Sequence, residues 1–123
     1  MTQPTLWDAV GVRHCPIPLT VDDERRLFAD WIEANPLLVE QMEGWALTLE
    51  SRTGRVEVNG LFFLARSFSD YKIVPVKFED DSGKAHEYGL NNTFRALFSR
   101  YLLKKYPSMH IELRRSKFDE EGA

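Results

Sequence analysis

The sequence predicts an α+β domain, mainly helical, with three to four helices, a β-hairpin and a short closing strand, winged-helix-like in outline. Three observations predict it. Apolar residues recur at helical spacing between Leu27 and Leu49 and again between Phe94 and Leu102. Val74, Val76 and Phe78 alternate with polar neighbours, as do His86, Tyr88 and Leu90, on either side of Asp80-Asp81-Ser82-Gly83. The chain has 123 residues, 43% of them apolar, which is enough for one core without cross-links.

Residues 1–19 hold Pro4, Pro16 and Pro18 and show no period, so they read as an extended N-terminal arm. The folded domain is expected over 20–118, with 119–123 as an acidic tail. Thr20-Val21-Asp22-Asp23 fits a capping pattern at the start of a first helix. Leu27, Phe28, Trp31 and Ile32 form its stripe, and Asn35-Pro36 stops it. Asn35 then caps a second helix with Pro36 at its first position. Leu38, Met42, Trp45 and Leu49 form its stripe, and Gly54 closes it.

Residues 55–68 admit two readings. Val58, Leu61, Phe62 and Ala65 have helical spacing, whereas Asn59-Gly60 between short apolar runs reads as a hairpin turn. Helix is favoured. The final helix carries Phe94, Leu97, Phe98, Tyr101 and Leu102 on one stripe. Asn91 or Asn92 caps it, and Lys104-Lys105 suit its carbonyl end before Pro107. His110 to Arg114 reads as a closing strand that pairs with the hairpin.

Several classes are set aside. A single cysteine, Cys15, cannot form an internal disulfide or a multi-cysteine zinc site. No apolar run approaches the ~20 residues that cross a bilayer. MTQPTLWDAV lacks the basic start and apolar stretch of a signal peptide, so a cytoplasmic protein with no membrane partner is expected. His14, His86 and His110 are scattered and read as surface or cross-strand residues. Lys77, Glu79 and Asp80 give only a loose nuclease-like set. No phosphate loop or nucleophile elbow occurs, so no enzyme, metal or cofactor is expected.

The charge is uneven. Residues 1–60 carry a net −5, and residues 90–118 carry +6 through Arg95, Arg100, Lys104, Lys105, Arg114, Arg115 and Lys117 against Glu112. Such asymmetry points to an anionic partner for one end of the molecule. With the final helix's stripe buried, Arg100 and Lys104 face solvent one turn apart, and Asn92 and Arg95 flank the helix start. Asn and Arg at a helix start suit phosphates and base edges, with Arg114, Arg115 and Lys117 on neighbouring phosphates. The expectation is a nucleic-acid-binding protein, duplex DNA first, in which the hairpin is a wing; a homodimer is compatible with it. The alternative is a protein that binds and modulates a host protein. In that reading Gln3, Leu6 and Trp7 act as a docking peptide, since Gln3-Pro4-Thr5-Leu6-Trp7 resembles the Gln-x-x-Leu-aromatic peptide that docks on the bacterial sliding clamp.

Two blocks carry a wider resemblance: Asn35-Pro36 with its helix, and Gly89-Leu90-Asn91-Asn92-Thr93 leading into Arg100-Tyr101 and Tyr106-Pro107. Together they resemble a family of small uncharacterised phage and prophage proteins with an Asn-Pro helix and an Asn-Asn-capped basic helix. Leu61 to Arg66 matches that family's middle segment and Ile111 to Arg115 its final strand, so the likeness spans most of residues 28–117. The Lys72–Tyr88 hairpin is longer than the family's loop. The resemblance implies a phage or mobile-element setting and is compatible with a helix-turn-helix arrangement by analogy.

Overall fold

A computed structural model describes residues 12–89 and 91–113. The order of elements is β1 (Arg13–His14), α1 (Val21–Ala34), α2 (Pro36–Thr53), α3 (Val58–Ser67), β2 (Val76–Glu79), β3 (Ala85–Tyr88) and α4 (Asn92–Lys105). This is an α+β fold with four helices and one three-stranded sheet among the described residues.

The caps follow local chemistry. Thr20 Oγ1 accepts the Asp23 N–H, while the Asp23 carboxylate accepts the Thr20 N–H, so two orphan donors at the start of α1 are satisfied reciprocally. Gly54 ends α2 at φ 76°, a left-handed conformation that costs a side-chain-bearing residue more. Asn91, rather than Asn92, caps α4, its Oδ1 accepting the Phe94 N–H at 2.7 Å. The ambiguous stretch after Arg55 is helical: Leu61, Phe62 and Ala65 are buried on one face of α3, a burial that a hairpin at Asn59-Gly60 could not give.

The core gathers around α4, which packs on both α1 and α3. Phe94 is its hub, with ring contacts to Phe28, Trp31, Phe62, Tyr88 and Phe98 at 4.6–6.3 Å between centroids. From Thr93 to Leu103 no residue of α4 is exposed. The sheet lies against α1 and has the order β1-β2-β3, with β1 parallel and β3 antiparallel to β2. Phe78 pairs with His86 and Val76 with Tyr88, and the alternation buries Phe78 and Tyr88.

The fold departs from the sequence expectation in two places. Part of the supposed arm is a strand: Arg13 and His14 pair with Phe78 and Glu79, and the Arg13 guanidinium grips Asp30 of α1 through two bonds of 2.6 and 2.9 Å. The closing strand does not join the hairpin. The turn after α4, with Met109 buried, carries the chain back toward the α2–α3 turn, where Val56 donates to the His110 carbonyl and bridges Ile111 in parallel. Glu50 of α2 accepts both the backbone N–H and the ring of His110, which holds that return in place.

Candidate functional site

The basic residues singled out from the sequence do not form one open helix face. Asn92 opens α4, and its side chain lies outside what is described. Arg95 reaches across to α3 and donates to Asn59 Oδ1. Arg100 is half-buried and donates to the Ala96 carbonyl at 2.9 Å. Lys104 is exposed. The reason for the dispersal is the depth of α4: a helix enclosed by α1 and α3 leaves a narrow strip, with Arg95 on one side of it and Arg100 and Lys104 on another. Arg114, Arg115, Lys117, Gln3, Leu6 and Trp7 lie outside the described residues.

One end of the molecule nevertheless carries arginines from more than one element. The α2–α3 turn exposes Arg52 and Arg55, the start of α3 carries Asn59 with Arg95 bonded to it, and the return strand reaches Val56. From that strand the sequence runs on past Leu113 into Arg114 and Arg115. The cap residue of α3 is Glu57, whose side chain makes no cap bond and pairs with Arg55 instead, and the first turn holds no acid, so the first N–H groups of the helix are left without a side-chain acceptor. Three acids share this end: Glu57 pairs with Arg55 at 3.1 Å with both side chains exposed, Glu50 is engaged by His110, and Glu112 is exposed on the return strand beside Ile111. The His110 backbone N–H, helped by its ring, holds the Glu50 carboxyl below its ordinary value despite some desolvation.

A carboxylate clamp on α2 gave no signal in the sequence. Glu43 is buried and accepts from Tyr106 Oη at 2.6 Å, Tyr101 Oη at 2.8 Å and Lys105 Nζ at 2.9 Å. Burial works to raise the Glu43 carboxyl, but the bonds from Tyr106, Lys105 and Tyr101 outweigh it and hold the group below its ordinary value. Lys105, expected as a helix-end cation, is therefore committed to fastening the end of α4 on α2.

Histidines and carboxylates also meet at the hairpin. Asp80 accepts from His86, from the Ser82 hydroxyl and from the backbone N–H groups of Ser82 and Lys84, which holds it well below the usual carboxylate range, His86 contributing most. Exposed His14 pairs with Asp81. Asp80 thus builds the hairpin turn. Among the described residues, no group of three or more His, Cys, Asp or Glu could hold a metal ion. Nor is any helix among them long and apolar enough to cross a membrane.

An apolar ledge lies along the α3–β2 connection. Phe63 and Phe68 are 58% and 65% exposed and touch edge to face, with centroids 5.9 Å apart. Leu37, Tyr71 and Val74 are exposed beside the two amides that hold the connection on α2. Asn35 Oδ1 accepts the Val74 N–H at 2.7 Å, and its Nδ2 donates to the Val74 and Trp31 carbonyls. Gln41 Oε1 accepts from Ser69 Oγ and the Asp70 N–H, and its Nε2 donates to the Asp70 carboxylate. Asn35 sits at the cap position of α2, as the sequence predicts, but makes no side-chain cap bond there, because its amide is spent on Val74. The available signal for the ledge is Phe63, Phe68 and Tyr71, aromatic residues that fit no core stripe.

Comparison with protein families, curated proteins and solved structures finds no match to this chain.

Proposed function

We propose that this protein binds nucleic acid, duplex DNA first, through the end built from the α2–α3 turn, the start of α3 and the C-terminal segment. In this reading α3 takes the place of the presented helix in a winged-helix-like arrangement, with the β2–β3 hairpin after it as the wing. The observation that carries the reading is the convergence of Arg52, Arg55 and Arg95 at the turn to which the C-terminal strand returns. An uncapped helix start among arginines suits phosphate oxygens, and Asn59 stands where a base or sugar edge can be met. Glu50, Glu57 and Glu112 match the charge of these three arginines, so the reading takes its positive surplus from Arg114, Arg115 and Lys117 of the sequence that follows.

Association in this reading is driven by counterion release, so affinity falls steeply with salt. A gel-shift series with short duplexes and single strands, starting at about 50 mM salt, is the test, with a log–log slope near −0.9 per neutralised phosphate on duplex DNA. Retarded complexes that fade with added salt support the reading. Absence of any complex at the lowest salt removes it.

A further inference from the structure

We infer that Glu50, although an acid, is a positioning residue for nucleic-acid binding: it latches the C-terminal strand to the α2–α3 turn, and duplex affinity depends on that latch. The inference rests on the nucleic-acid reading of this end and names what governs it. Glu50 stands in the last turn of α2, whose Gly54 cap donates to the Glu50 carbonyl. A carboxylate there is disfavoured twice, by the carbonyl end of its own helix and by any phosphate brought to this end. A specific contact offsets that cost. Glu50 Oε1 accepts the His110 backbone N–H, and the His110 ring Nδ1 lies 2.8 and 3.0 Å from the two carboxylate oxygens.

The strand's other hold on the turn is slight. Val56 donates to the His110 carbonyl at 2.9 Å and makes one isolated bridge to Ile111. Hydrogen bonds to a carboxylate are about twice as strong as neutral ones, so Glu50 carries much of the fastening. Arg114 follows His110 by four positions, which keeps the two Cα atoms within about 14 Å. Latching His110 therefore restricts where Arg114 and Arg115 can stand relative to Arg52 and Arg55. Releasing it leaves the arginines to be ordered at the moment of binding, at a cost in affinity.

The sign of the effect separates a latch from charge alone. Removing a carboxylate from a phosphate-binding face raises affinity, unless that carboxylate holds the face together. Exposed Glu57, at the start of α3, is the comparison, since it pairs with Arg55 and holds no strand.

The experiment is a gel-shift titration of the full chain with one short duplex at about 50 mM salt, alongside amide exchange at Val56. Glu50→Ala is expected to weaken binding about fivefold or more and to speed exchange of the Val56 amide, with circular dichroism unchanged. Glu50→Gln carries the same charge as Glu50→Ala but keeps an oxygen for the His110 N–H, and it recovers most of the affinity. Glu57→Ala binds at least as tightly as the unaltered protein. If the unaltered protein binds and Glu50→Ala binds as tightly or more tightly, the inference is overturned and the nucleic-acid reading stands. Glu50→Gln as weak as Glu50→Ala, or Val56 exchange unchanged in Glu50→Ala, overturns it in the same way. Absence of any complex with the unaltered protein removes both.

Discussion

The side chain of Asn35 holds both backbone groups of Val74, accepting its N–H at 2.7 Å and donating to its carbonyl at 2.9 Å across 39 positions of sequence. One carboxamide thereby replaces a neighbouring strand for a residue that belongs to no sheet. Asn35 is 4% exposed, so water cannot substitute when the amide is removed. Asn35→Leu is expected to destabilise the fold by about 2 kcal/mol, because it orphans a partly buried N–H and carbonyl. Hydrogen exchange should show the Val74 amide losing protection first, and an unchanged rate there contradicts the assignment.

Glu43 links stability to acid. Its carboxyl titrates lower in the folded chain than its ordinary value of 4.5, so its contribution is fully present above that value and is lost as pH falls through the folded one. Melting temperatures are expected to hold from neutral pH down to about 4.5 and to fall beyond it. Glu43→Gln, which loses about 2 kcal/mol at neutral pH by weakening the bonds from Tyr101, Tyr106 and Lys105, should show a shallower acid limb. Identical acid limbs in the two proteins would place the clamp elsewhere.

Tyr88 gives the opposite sign. Its hydroxyl is buried and, among the described residues, has no hydrogen-bond partner, and burial, together with the charge of Glu24, pushes its pKa well above that of a free tyrosine. Removing a polar atom that has no partner relieves a desolvation cost, so Tyr88→Phe is expected to stabilise the protein by up to about 1 kcal/mol. Thermal unfolding of the variant checks this, and a lower melting temperature contradicts it.

Phe94 is fully buried at the meeting point of five rings. Phe94→Ala opens a cavity shared by α1, α3, α4 and β3 and should cost about 3–5 kcal/mol. Leu103→Ala, half-buried on the outer strip of α4, should cost far less. Denaturant midpoints of the two variants separate the cases, and equal losses would remove Phe94 as the hub.

The elements whose signal is local are legible from residue order. Thr20 with Asp23, Gly54 after α2, Asn91 before Phe94 and the alternation around the Asp80 turn each act within a few residues. Partners far apart in sequence are not legible. Nothing near Ile111 distinguishes Val56 from the hairpin as its neighbour, and nothing near Asn35 announces Val74. The stripe on α4 identifies its buried face, but a stripe reports one face alone. It does not reveal that α1 and α3 enclose the helix so far that Arg100 lies half-buried. That enclosure moves the candidate nucleic-acid surface from the middle of α4 to the start of α3.

The most direct test compares the salt dependence of duplex binding for two charge reversals of the same size. Arg114→Glu with Arg115→Glu should weaken binding and flatten the log–log slope by about 2, one for each phosphate no longer neutralised. Arg100→Glu with Lys104→Glu, on the outer strip of α4, should leave the slope nearly unchanged. The reverse pattern, or no duplex binding by the unaltered protein at low salt, contradicts the proposed surface.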